Sequence, residues 1–95
     1  MNKIYVISET HQTNPSYEWN ISISKRAFTT WKRAEVCLNE LIHRYEKGGY
    51  KVLRDDIYTT ENGYQRDVVF EAPSLGETSW KFLYRIETLK VNDEI

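Results

Sequence analysis

The sequence predicts an α+β fold in which a mostly antiparallel sheet carries one amphipathic helix across a face, in the order β-β-α-β-β-β. Three observations lead there: two-residue apolar alternation near both ends, helical periodicity between residues 31 and 47, and the turn-forming pair Asn62-Gly63 between two β-rich runs. A half-buried strand shows one side chain in two to the core, whereas a helix shows about one in 3.6, so the two periods separate the elements.

The first strand is read at Lys3 to Glu9, where Ile4, Tyr5, Val6 and Ile7 form a short β-rich run that ends before a loop at Asn14-Pro15-Ser16. From Tyr17 to Lys25, Tyr17, Trp19, Ile21 and Ile23 alternate with Glu18, Asn20, Ser22 and Ser24, which predicts a second strand hairpinned to the first. Thr29 and Thr30 are the candidate helix N-caps, since a hydroxyl oxygen there can accept from a free first-turn amide. Beyond them Trp31, Ala34, Cys37, Leu38, Leu41, Ile42 and Tyr45 fall on one helical stripe, and Lys32, Arg33, Val36, Asn39, Glu40, His43, Arg44 and Lys47 cover the rest. Gly48-Gly49 then marks a left-handed C-terminal cap.

Tyr50 to Glu61 and Tyr64 to Glu71 are strands three and four, with Asn62-Gly63 as the central residues of a tight hairpin turn. Ala72 to Ser79, with Pro73 and Gly76, reads as a loop, and the alternation of Trp80, Phe82, Tyr84 and Ile86 predicts a fifth strand, with a frayed end at Asn92 to Ile95. The expected core is Val6, Trp19, Ile21, Ile23, Ala34, Leu38, Leu41, Tyr45, Val52, Val68, Phe70, Phe82, Tyr84 and Ile86.

No repeat or linker divides the 95 residues, so residues 1–95 are read as a single domain. A composition of 40% hydrophobic and 28% charged residues is too apolar for a disordered chain and too polar for a membrane protein. Lys3 and Glu9 stand where a signal peptide would need an apolar run, so the expected compartment is the cytoplasm. Cys37 is the single cysteine, which excludes an internal disulfide and a cysteine-held metal.

Catalytic chemistry finds no assembled site. Cys37 lies on the apolar stripe, and His43, six residues on, stands about 240° round the helix from it. His11 and His43, the pair that acid and base cleavage of RNA would need, belong to a loop and a helix that nothing in the sequence brings together. Asp55 and Asp56 are neighbours on a strand and therefore point to opposite faces. No phosphate-binding glycine motif or nucleophile elbow is present, so neither an enzyme nor a cofactor is implied.

Charge is more informative. Residues 25–54 hold eight basic and three acidic side chains, a net +5, and the remainder holds five basic and eleven acidic, a net −6. Such a polarised molecule can steer a charged partner. Lys32 and Arg33 occupy the first helical turn, where the positive end of the helix dipole disfavours cations, and Val36 is apolar on the outward side. The candidate partner-binding residues are therefore Lys25, Arg26, Lys32, Arg33, Val36, His43, Arg44 and Lys47.

Three segments carry a resemblance: the opening Lys3-Ile4-Tyr5-Val6-Ile7-Ser8-Glu9, Ala27-Phe28-Thr29 with Ala34-Glu35 at the helix start, and the closing Tyr84-Arg85-Ile86-Glu87-Thr88-Leu89-Lys90-Val91. In these the chain resembles small accessory proteins of bacterial viruses and mobile elements, some of which inhibit host defence nucleases such as CRISPR effectors. The resemblance implies a viral, anti-CRISPR-like stoichiometric inhibitor acting by protein contact inside the host cell, on a nuclease or ribonucleoprotein effector, and assigns no functional residue. Two alternatives stand beside it: an RNA- or DNA-binding module using the basic helix, and a structural or regulatory subunit that self-associates through a sheet edge.

Overall fold

Every predicted element forms, in the order β1 (Asn2–Gln12), β2 (Trp19–Phe28), α1 (Trp31–Lys47), β3 (Lys51–Thr60), β4 (Gly63–Glu71) and β5 (Lys81–Val91). The computed structural model describes residues 2–12, 19–73 and 81–91, with the side chains of residues 2, 11, 12 and 19–25 outside that description. The loop expected around Pro15, most of the loop expected over 72–79, the frayed end at 92–95 and the core positions Trp19, Ile21 and Ile23 thus lie outside what is described.

All strand pairs are antiparallel, in the order β2-β1-β5-β4-β3. The two hairpins, β1-β2 and β3-β4, do not pair with each other, because β5 lies between them and completes both ladders. That pairing runs from Asn2↔Val91 to Gln12↔Lys81, which is why β1 and β5 extend beyond the apolar runs that announce them. Backbone groups of a central strand need partners along its whole length, whatever the side chains are.

The helix covers one face. Ala34 and Leu38 pack on Ile7, Val68, Phe70, Tyr84 and Ile86, and Leu41, Tyr45, Val52 and Phe82 are partly buried against this cluster. Ile7, and not Val6, is the core residue of β1, which corrects the sequence reading. Four consecutive apolar residues leave the inward face of β1 undetermined by alternation, and the decision falls to register: Ile7 opposes Ile86 beneath the helix, whereas Val6 opposes Glu87 on the other face. On that second face Val69 and Leu83, register partners across β4 and β5, are also buried.

The helix ends are built as expected. The Thr30 side chain accepts from the Arg33 amide at 3.2 Å. At the other end the Tyr50 amide donates to the Tyr45 carbonyl and the Gly49 amide to the Glu46 carbonyl, the paired bonds of a Schellman cap, with Gly49 at φ +90°. The Tyr45 and Tyr50 rings, 4.9 Å apart, supply the apolar contact that accompanies such a cap.

The β3-β4 turn differs from its sequence reading. Thr60 opposes Gly63, so Glu61 and Asn62 are the central residues, one position earlier than expected. Gly63 is instead the first residue of β4, at φ +142°, where an added Cβ would stand 3.1 Å from the Thr88 methyl carbon. The glycine signal was therefore a signal for close strand approach.

Candidate functional site

The outward face of α1 follows from its inward one. With Trp31, Cys37, Leu41, Ile42 and Tyr45 packed against the core and Ala34 and Leu38 within it, helical spacing leaves Lys32, Arg33, Val36, His43, Arg44 and Lys47 in solvent. Val36 is 48% exposed and, with Asn39, Glu40, His43, Arg44 and Lys47, lines a shallow depression along the helix. These positions recur at intervals of three and four residues, so they form one strip.

The charges on this strip are not neutralised by the fold. Among the described residues, Lys32, Arg33, Arg44 and Lys47 form no ion pair. Arg44 and Lys47 in the last turn complement the helix dipole, but no acid occupies the first turn beside Lys32 and Arg33.

The acidic strands behave differently, since each aspartate of β3 and β4 has its own arginine. Arg66 reaches both oxygens of Asp55, at 2.9 and 2.7 Å, and its remaining terminal nitrogen donates to Asn39 of the helix at 2.9 Å. This bidentate bond, against the opposing cost of burial, holds the Arg66 guanidinium above its usual pKa. Arg54 pairs with Asp56 at 3.0 Å. Asp67 receives Arg85 at 2.8 Å and the Tyr58 hydroxyl at 2.7 Å, and Gln65 donates in turn to Tyr58. Burial alone would raise the Asp67 carboxyl, but the bonds from Arg85 and Tyr58 outweigh it and hold the group below the usual carboxylate range. Asp56 and Asp67 oppose each other across the β3-β4 ladder, and the separate arginines make that like-charge pair tolerable.

Arg26 lies apart from the outer strip. It projects from β2 towards the helix, where its guanidinium is 3.7 Å from the Cys37 sulfur. There it joins Arg44 in lining a cavity of about 450 Å³ between α1 and β1, walled by Ile7 and Leu41 and bounded by Glu9, Cys37, Glu40, Tyr45 and Tyr84. The Tyr45 and Tyr84 hydroxyls are hydrogen-bonded at 2.8 Å, and burial, followed by that bond and the proximity of Glu9, pushes the Tyr84 phenol far above its usual pKa. Tyr84 is a packed neutral hydroxyl and not a base.

Of the residues expected to bind a partner, the helix therefore brings Lys32, Arg33, Val36, His43, Arg44 and Lys47 to one exposed face, while Arg26 stands across the cavity from it. The side chain of Lys25 lies outside the described residues, as does that of His11. Among the described residues no group of three or more His, Cys, Asp and Glu could hold a metal ion. No helix among them is long and apolar enough to cross a membrane. The sequence reading missed the Asn39–Arg66–Asp55 bridge, although its signal is visible: Arg66 alternates in phase with Val68 and Phe70, and an arginine on the inward face of a strand needs a partner.

No protein family, curated protein or solved structure matches this chain in comparison with known proteins.

Proposed function

We propose that the chain is a non-catalytic binding protein that presents the outer face of α1 to an acidic surface of a protein partner. One observation carries this reading: Lys32, Arg33, Arg44 and Lys47 stand unneutralised around the exposed Val36, in a molecule whose strand aspartates are each matched to an arginine. Two of these cations lie against the helix dipole, where acids would favour stability. An apolar centre within a charged rim is the pattern of a protein contact.

Glu35, Glu40 and Glu46 interrupt the basic strip, and most aromatic rings near the helix are engaged with one another, which favours a protein surface over a phosphate backbone. Within this reading, stoichiometric inhibition of a host defence nuclease is the activity that the resemblance adds.

Affinity capture from bacterial lysate, with and without nuclease treatment, tests the proposal. A protein held by the wild-type chain after nuclease treatment, and lost with Lys32→Glu/Arg33→Glu, is the expected result. Capture that depends on intact nucleic acid would instead assign the basic strip to RNA or DNA.

A further inference from the structure

We infer that β3 is a self-complementary edge through which two copies of this chain pair antiparallel, about a two-fold axis at Asp55, into a continuous ten-stranded sheet. The contact is separate from the helix face and leaves it open.

Among the described residues, three of the five exposed large hydrophobic ones, Leu53, Ile57 and Tyr58, belong to this one strand. Their backbone sits at the edge of the sheet, since among the described residues β3 pairs only with β4. An edge strand presents a row of unused amide and carbonyl groups, and proteins that avoid pairing blunt it with bulges, proline or charged side chains. The other edge, β2, carries two register irregularities along its ladder, whereas β3 has one, near its start between Val52 and Arg54, and runs regularly from Arg54 to Thr60. Its charges are of both signs, an arrangement that repels no second copy.

The register follows from the sequence of the strand. A two-fold axis normal to the sheet keeps like faces together, so the central residue must oppose itself and its neighbours must oppose each other in reverse order. Centred on Asp55, Arg54 opposes Asp56 of the other copy, and Leu53 opposes Ile57. Each Asp55 carboxylate is already held by two nitrogens of Arg66, which removes the objection to a central pair of acids. The row Arg85–Asp67–Asp56 then continues to the second copy's Arg54, so the adjacent acids are flanked by arginine on both sides. A register centred on Asp56 places Asp55 against Ile57, and one centred on Arg54 places Leu53 against Asp55. Of these three, the axis at Asp55 alone sets opposite charges and apolar residues against each other.

Light scattering and sedimentation of the full chain across a dilution series test this. The wild type should show a monomer–dimer equilibrium; Arg54→Asp, which sets acid against acid at two symmetric places, should raise the dissociation constant roughly tenfold or more. Arg54→Asp/Asp56→Arg should restore it, and Ile57→Lys should abolish it, with circular dichroism unchanged in each variant. In a Cys37→Ala background, Leu53→Cys/Ile57→Cys should give on mild oxidation a covalent dimer whose disulfides map from position 53 to position 57 of the other copy. A chain that stays monomeric at every concentration, a dimer indifferent to Arg54→Asp or unrescued by the exchange, or disulfides joining 53 to 53 would overturn the proposal.

Discussion

At the scale of single residues, charge placement separates what stabilises this protein from what it offers to others. Lys32 and Arg33 sit in the first turn of α1 with no acid nearby in that turn, a position that disfavours each cation by about 0.3–1 kcal/mol. Lys32→Glu/Arg33→Glu should therefore leave thermal stability unchanged or raised while weakening the captured complex, and the two measurements made side by side should move in opposite directions. Equal losses in both would show that these side chains serve the fold. Asp67 is the opposite case, buried at 6% side-chain exposure and neutralised from within. Its folded pKa lies below the unfolded value, so its contribution is fully present above the unfolded pKa of about 3.9 and is lost as pH falls through the folded value. Urea unfolding between about pH 5 and about pH 2 should show stability falling steeply in the wild type and less steeply in Asp67→Asn.

At the scale of elements, α1 is held by a narrow apolar stripe and one polar bridge. Leu38 is fully buried, whereas Leu41, one turn on, is only partly so and borders the cavity shared with Arg26 and Arg44. Leu38→Ala should cost about 2–5 kcal/mol in equilibrium unfolding, and Leu41→Ala clearly less, because solvent already reaches the space its side chain would vacate. The reverse order would mean that the helix is rotated on the sheet. The Asn39–Arg66–Asp55 bridge resists that rotation, since it ties the middle of the helix to two strands through a guanidinium that is itself largely buried.

At the scale of the whole molecule, β5 joins two hairpins that do not otherwise pair. Ile86 lies at this junction, fully buried, opposite Ile7 on one side and Arg66 on the other. Ile86→Ala should lower the stability of both hairpins together by about 2–5 kcal/mol, in one transition seen equally by tryptophan fluorescence and far-ultraviolet circular dichroism. Protection of the β3-β4 amides that outlasts that of β1-β2 in native-state hydrogen exchange would show two separable units. The partners of β5 are far apart in sequence, so the sheet closes only once the last strand arrives.

Local periodicity by itself determined the elements of this protein: the helix from Trp31 to Lys47, its cap at Thr29 or Thr30, its glycine stop and the succession of strands along the chain. These depend on neighbours within a few residues, which a sequence displays directly. It also marked the exposed basic strip, because a helix whose apolar stripe is known has its outer face assigned as well. Only the tertiary structure decided that Ile7 and not Val6 faces the helix, that Gly63 closes against Thr88 and not within the turn, and that Arg26 faces a cavity, shared with Arg44, and not the outer strip. It alone neutralised Asp55, Asp56 and Asp67, and left β3 at an edge. Each of these depends on strand register and order, which are set by pairing between residues distant in the chain and leave no periodic trace along it.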